Sequence, residues 1–99
     1  MDQKTSSLLG LAMRARKLVM GDLLIPGIQN QSVKLVLIAS DASENTQKRL
    51  KDKCTYYGIK WLMVDDSVSL SHAIGKSNRM AVGVIDAGFS KKISECMKG

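Results

Sequence analysis

Stretches in which apolar residues recur every three or four positions alternate along the chain with short stretches that are apolar almost throughout. The first kind covers residues 6–20, about 43–57, 67–75 and 88–97, and its spacing predicts amphipathic helices. The second kind covers residues 33–39, 59–64 and 80–85, and it is typical of strands that are covered on both faces. A further short strand is expected at residues 18–20.

Residues that commonly begin helices stand at the expected boundaries. Asp22 is expected to cap a new helix, with Pro26 tolerated because first-turn amides have no helical partner to lose. Asp41 with Glu44, or Ser43 alone, is expected to cap the helix that ends near residue 57.

Strands that alternate with helices imply right-handed crossovers and helix layers on both faces of a sheet. The fold class that we predict is α/β: a three-layer α/β/α sandwich with a mostly parallel central sheet of about four strands. The sequence contains no repeat, linker or low-complexity tract, so residues 1–99 are expected to form one domain.

The chain carries 15 lysines and arginines against nine acidic residues, a formal net charge of +6 over 99 residues. Such an excess favours phosphate backbones or acidic surfaces as partners, although a basic protein without such a partner is equally compatible with it. Binding to a polyanion through these charges is expected to weaken steeply as salt is added.

Cys54 and Cys96 stand far apart without a C-x-x-C pattern, and His72 is near neither of them in sequence. This arrangement argues against a disulfide scaffold and against a metal site. The first residues lack the apolar run of a signal peptide, and no apolar stretch approaches the ~20 residues that a membrane span needs. We therefore predict a cytoplasmic protein.

Asp65, Asp66 and His72 are the first candidates for catalysis, since paired carboxylates with a histidine can hold a metal or transfer protons. Adjacent strand residues point to opposite faces, however, and Asp-Asp-Ser is a good turn and helix-cap sequence. Helix capping is the favoured interpretation. The sequence also lacks the glycine motifs of phosphate-binding loops and nucleophile elbows, so no enzymatic activity is predicted.

Positive residues gather in three places along the sequence. Residues 14–17 precede Gly21, where a helix start with free amides suits phosphate. Residues 48–53 lie on the outer face of a predicted helix, where a solvated surface is the favoured interpretation. Lys76 and Arg79 flank a turn between a helix and a strand. RNA-binding proteins usually read bases in loops or bends, and a glycine-led helix start beside a second loop suits such a bend.

Three stretches carry a family resemblance: Leu-Leu-Gly-Leu-Ala-Met-Arg-Ala-Arg-Lys at residues 8–17 with Gly21, residues 34–46, and residues 73–79. They resemble the bacterial YlxQ-type proteins, which belong with the archaeal L7Ae-type and eukaryotic L30e-type ribosomal proteins. The resemblance covers nearly the entire chain, and its first two stretches are specific. It implies an α/β/α sandwich without a cofactor or catalysis. Because many members bind kink-turn RNA, it also implies a ribosomal-protein-like role with RNA as the partner.

In that family a Gly-Asn-Glu helix start reads the sheared G·A pairs of the kink, a lysine one turn later assists it, and a second loop packs on a flipped-out base. The resemblance places Gly21 on the motif glycine and the second loop at residues 65–68. Combined with the charge pattern, it predicts RNA contacts from nine residues. They are Gly21, Asp22, Leu23, Arg14, Lys17, Lys34, Ser67, Val68 and Arg79.

The sequence departs from the family pattern where the kink is specified. Asp22 and Leu23 stand in place of Asn and Glu, the helix lysine has no match at residues 25–28, and Ser71 replaces a glycine. A bidentate base contact contributes ~1–3 kcal/mol, so their loss favours general RNA binding over kink-turn specificity.

Two alternatives stay open at this point. The first is a protein-interaction module on the same fold, with Pro26-Gly27 marking its surface after RNA readout was lost. The second is an acid-dependent hydrolase at Asp65, Asp66 and His72. A steep salt dependence separates RNA binding from protein binding.

Overall fold

The computed structural model describes residues 2–97. Within that range the helices are α1 (Gln3–Arg14), α2 (Leu24–Gln29), α3 (Glu44–Tyr57), α4 (Ser67–Ala73) and α5 (Ala87–Met97), and a 3-10 helix covers Gly21–Leu23 immediately before α2. The strands are β1 (Leu18–Val19), β2 (Leu35–Ala39), β3 (Lys60–Val64) and β4 (Ala81–Val84). Helices and strands alternate as the sequence predicts. No helix in this part of the chain is long and apolar enough to cross a membrane.

The first helix is shorter than its apolar spacing predicts. It ends at Arg14, because Arg16 adopts a left-handed backbone with a φ of 59° and the N–H of Lys17 donates to the carbonyl of Ala12 at 2.9 Å. Residues 18–19 are then extended and pair antiparallel with β4. The short strand expected near residue 18 is therefore present.

The sheet has the strand order β1-β4-β2-β3 and is mixed, so the prediction of a mostly parallel sheet is wrong. β2 and β3 are parallel, whereas β4 is antiparallel to both of its neighbours. The connection from β3 to β4 stays at one end of the sheet, since Arg79, two residues before β4, donates its N–H to Oγ of Ser71 in α4. β4 therefore starts beside Ala39, at the end where β2 and β3 finish. We call this end of the sheet the front end.

Alternate residues of β2 supply two separate cores. Leu35, Leu37 and Ala39 pack with residues of α1, α4 and α5 on one face of the sheet. Val36 and Ile38 pack with residues of α2 and α3 on the other face. All five are buried, which gives the predicted α/β/α sandwich.

Local caps decide between the alternatives that the sequence leaves open. Ser43 caps α3, with its hydroxyl accepting from the N–H of Thr46 at 3.2 Å. Asp41 is used elsewhere, since its carboxylate accepts hydrogen bonds from Ser67.

Cys54 fills the buried face of α3, and burial raises the pKa of its thiol to about 11.

Candidate nucleic-acid interface

Gly21 forms a turn at the front end of the sheet, two residues after β1. Its φ of 60° lies in the left-handed region that favours glycine, and Met20 before it is extended. This change of direction takes the chain from the sheet into the 3-10 helix. Gly21 therefore begins a helical segment rather than ending one.

Asp22 does not cap this segment, contrary to the prediction. The residues in the cap positions of the 3-10 helix and of α2 are Met20 and Leu23, and neither segment has a side-chain cap. The left-handed turn at Gly21 is the reason, because it places Asp22 inside the first turn instead of before it. The N–H of Leu23 already donates to the carbonyl of Met20 at 3.3 Å, so fewer amides are free than the sequence suggests. The Leu23 side chain is 65% exposed.

Arg79 extends over the Gly21 turn from the loop that joins α4 to β4. Its main-chain N–H donates to Oγ of Ser71 at 2.8 Å, which fixes this residue against α4. A Cβ built on Gly21 would lie 3.4 Å from Nη1 of Arg79, so the guanidinium nearly touches the turn. The Nε atom of Arg79 is buried and has no hydrogen-bond partner within residues 2–97. A buried donor without an acceptor is costly, so no hydrogen bond at Nε from the described part of the chain stabilises this conformation of the side chain.

A groove of about 280 Å³ lies between the Gly21 turn and the Arg79 loop, and we call it the front groove. Thr46 and Arg49 of α3 line it together with Asn78. Arg49 and Arg79 therefore both line one groove, and each carries a guanidinium group. Such groups present several donors in a fixed plane, which matches the oxygens of phosphate.

Thr46, Arg49 and Asn78 were not among the residues predicted to contact RNA. The sequence predicts a solvated helix face for Arg49, and the residue is exposed, but the structure also brings that part of α3 beside Gly21. The sequence does contain one indication of this: residues 46 and 49 lie a helical turn apart, next to Leu50 on the helix, and Leu50 is buried. Their position beside Gly21 depends on packing between α2 and α3, which no local pattern reports.

A second cavity, of about 310 Å³, adjoins the front groove and is lined by Val68, His72 and Lys76. Asn78 lines both cavities and has a left-handed backbone with a φ of 56°. The loop directly beside Gly21 is therefore the one between α4 and β4, and residues 65–68 lie one cavity further away. Val68 is 76% exposed there.

Ser67 is buried, although it was predicted to contact RNA. Its N–H and its O–H each donate to the Asp41 carboxylate at 2.8 Å. Both donors are thus occupied, and the contact holds the start of α4 against the exit from β2. The geometry gives Ser67 a structural role.

Three of the predicted basic contacts lie away from the front groove. Ile85, just beyond β4, donates its N–H to the carbonyl of Lys17, and Lys34 donates its N–H to Val84 at the end of β4. Lys17 and Lys34 are therefore at the opposite end of β4 from Arg79, separated by about 13 Å of strand. Arg14, at the end of α1, precedes Lys17 by three residues and is exposed. None of the three residues lines the front groove.

Asp66, one of the acidic candidates for catalysis, is used as a helix cap. Asp66 caps α4 by accepting from the N–H of Ser69 at 2.6 Å, and this bond holds the pKa of Asp66 below its ordinary value. His72 lies about 9 Å further along α4. Within residues 2–97, no group of three or more His, Cys, Asp or Glu side chains is placed to hold a metal.

The mixed four-stranded sheet between two helix layers, with a basic groove beside a glycine turn, defines the class of fold. The family model described as "Ribosomal protein L7Ae/L30e/S12e/Gadd45 family" matches residues 3–94. This chain belongs to that family.

Two curated proteins named "RNA-binding protein YlxQ" are similar to this chain over most of its length. The one from Enterococcus faecium is 44% identical over 98 residues, which cover 98% of this chain and 94% of that protein. The one from Bacillus subtilis (strain 168) is 49% identical over 87 residues, which cover 87% of each.

Solved structures agree with the architecture. A protein described as of unknown function from Bacillus halodurans superposes with a TM-score of 0.94 at 43% identity, covering 99% of this chain and 100% of that one. A Giardia lamblia 15.5 kD RNA-binding protein superposes with a TM-score of 0.78 at 15% identity, covering 96% of this chain and 82% of that one. At such low identity the second match shows the fold alone.

Proposed function

We propose that this chain binds structured RNA at the front groove. The position of Arg79 carries the proposal: its guanidinium lies beside the Gly21 turn, and the residue lines the front groove together with Arg49. A guanidinium donates in a fork to phosphate oxygens or to the acceptor edge of guanine. The names of two relatives at 44% and 49% identity support RNA as the ligand.

The rest of the groove is suited to a bent strand. Arg49 adds a second positive group, and the chain as a whole carries a net charge of +6. Met80 lines the groove and is 40% exposed, and Leu23, two residues after Gly21, is 65% exposed. Exposed apolar surface next to phosphate donors suits an unstacked base whose backbone is held by the arginines.

The proposed RNA is a ribosomal or other structured RNA, with the kink-turn as the first candidate, and the proposed setting is the cytoplasm. A sharp bend brings phosphates and an unpaired base close together, which matches the charged and apolar residues at the groove. Asp22 and Leu23 lack the amide and carboxylate that the family resemblance associates with G·A pairs. Recognition is therefore expected to depend on shape and charge more than on those two base pairs.

Titration of the protein into a labelled kink-turn RNA and a matched duplex without G·A pairs, at two salt concentrations, tests this proposal. Arg79→Ala is the informative variant, because the contacts that fix this residue to Ser71 are made by its main chain. A hydrogen bond to a charged group contributes ~1.5–3 kcal/mol, so the affinity is expected to fall about ten- to hundredfold. Lys60→Ala removes an exposed charge from β3, at the far edge of the sheet, and is the matched control.

The outcomes separate the candidate functions. Preference for the kink-turn supports readout of the bend, and equal, salt-sensitive binding to both RNAs supports a general RNA-binding protein. Failure of the protein to bind either RNA would contradict the proposal and favour the protein-interaction module. For that alternative Pro26-Gly27 is a poor marker, since Gly27 is buried and a Cβ there would lie 2.7 Å from Val33.

A further inference from the structure

A second groove runs along the outer face of α3. Arg49, Asp52, Lys53 and Tyr56 occupy positions i, i+3, i+4 and i+7, which lie on one face of a helix. Together with Tyr57 they line a groove of about 520 Å³, which we call the α3 groove. It is larger than the front groove, and Arg49 is the one residue of its lining that takes part in the contacts proposed above.

Tyr56 presents an aromatic ring in this groove. The side chain is 81% exposed, and it touches the ring of Tyr57 with centroids 4.8 Å apart and planes at 77°. Exposed aromatic rings are stacking platforms for unpaired bases, and each stacked base contributes ~1–3 kcal/mol.

The platform is held by a fixed backbone. Gly58 ends α3 in a left-handed conformation with a φ of 71°, and Nε2 of Gln31 donates to the carbonyl of Tyr57 at 3.2 Å. A site that is already ordered loses less entropy when a ligand binds. The ring of Tyr56 is therefore carried by a helix end that is tied to the connection between α2 and β2.

The α3 groove lies next to the front groove. Arg49 lines both, so a strand that leaves the front groove passes this guanidinium as it enters the second groove. Lys53 adds a positive charge, and Asp52 is the acidic group in the lining. Lys51 plays a different part, because its Nζ lies 4.9 Å from the centroid of the Trp61 ring.

We infer that the α3 groove binds a single-stranded RNA segment that flanks the structured RNA in the front groove. One unpaired base stacks on Tyr56, and the neighbouring phosphates lie against Arg49 and Lys53. The helical rise from residue 49 to residue 56 is about 10 Å, so the contacts extend along the strand. This inference rests on the proposed function and adds the single-stranded flank to its ligand.

The test compares two RNAs that differ in one feature: the kink-turn RNA, and the same RNA with about ten unpaired nucleotides added, within the ~4–16 that one single-strand site covers. The extension is expected to raise the affinity of the unaltered protein about tenfold, as one stacked base would. Tyr56→Ala is expected to abolish that gain without changing the affinity for the shorter RNA. Tyr56→Phe keeps the ring and should keep the gain, and Leu11→Ala removes another exposed apolar side chain as a control.

The results distinguish this inference from the proposed function. If the extension adds nothing, or if Tyr56→Ala keeps the gain, the inference is overturned while binding to the shorter RNA still supports the front groove. If the unaltered protein does not bind the shorter RNA, the proposed function fails. In that case the unpaired segment is titrated as a separate RNA. Weaker binding by Tyr56→Ala than by the unaltered protein supports stacking in the α3 groove. Equal binding by the two proteins, or no binding, overturns the inference and favours a protein partner.

Discussion

The carboxylate of Asp41 accepts both donors of Ser67, the N–H and the O–H, each at 2.8 Å. The two residues are 26 positions apart in the chain, one after β2 and the other at the start of α4. Because α4 also holds Ser71, which fixes the main chain of Arg79, the contact supports the position of the front groove.

Replacement of Asp41 should therefore destabilise the fold. Asp41→Ala leaves the hydroxyl of Ser67 without its partner in a buried position, which costs ~1–3 kcal/mol of unfolding free energy. Urea unfolding measures the loss, and Glu95→Ala, at an exposed acid on α5, is the control with an expected change within ~0.5 kcal/mol. Equal stabilities for the two variants would show that the contact contributes little.

Asp66 should make the stability depend on pH in the acidic range. The N–H of Ser69 holds the pKa of Asp66 below its ordinary value, so the folded state binds this proton less readily than the unfolded state. The stabilisation is complete above the unfolded pKa of ~3.9 and is lost as the pH falls below it. The difference in unfolding free energy between the unaltered protein and Asp66→Ala should shrink as the pH is lowered through this range.

A matched variant checks that the effect comes from the cap. Asp22→Ala removes an exposed acid that caps neither neighbouring segment, so its stability difference should stay small at every pH. A gap for Asp66→Ala that does not change between neutral and acidic pH would contradict the assignment.

Local sequence patterns predict the elements well because each depends on neighbours in the chain. The uninterrupted apolar run of β2 predicts a strand that is covered on both faces, and all five of its residues are buried. The direction of β4 was not predictable in this way, since it depends on tertiary contacts of the loop after α4, such as the bond from the Arg79 N–H to Ser71. The pattern shows that α4 is a helix but not that the chain turns back after it.

The candidate site shows the same division between local and distant contacts. Gly21 was predicted as a site residue by its place before a helix start, and the structure adds a left-handed turn there. Arg49 and Arg79 belong to different elements and meet Gly21 only through tertiary packing. Ser67 had a site-like position in the sequence, yet its donors are used by Asp41, a residue that no local pattern connects with it.

Truncation of Ile38 should show that both faces of β2 are packed. Ile38 is fully buried in the core between the sheet and α2 and α3, so Ile38→Ala is expected to cost ~2–5 kcal/mol of unfolding free energy. Leu11→Ala, at a side chain that is 52% exposed, should change it by less than ~0.5 kcal/mol. Similar values for the two variants in urea unfolding would contradict the burial of this strand.

Two left-handed glycines allow backbone strain to be separated from RNA binding. Gly21 has a φ of 60° and Gly58 a φ of 71°, so Gly21→Ala and Gly58→Ala should each cost ~1–2 kcal/mol of stability. A Cβ at Gly58 meets nothing within 4 Å, whereas a Cβ at Gly21 lies 3.4 Å from the guanidinium of Arg79. Only Gly21→Ala is therefore expected to weaken binding of the shorter kink-turn RNA.

The comparison uses affinities measured well below the unfolding temperature of both variants, where each remains folded. Because the two substitutions impose the same kind of strain, any affinity change common to both reflects that strain and not a contact at Gly21. A loss confined to Gly21→Ala places RNA beside the Arg79 guanidinium. Equal affinities for the two variants would show that RNA does not approach the Gly21 turn, even if the protein binds RNA elsewhere.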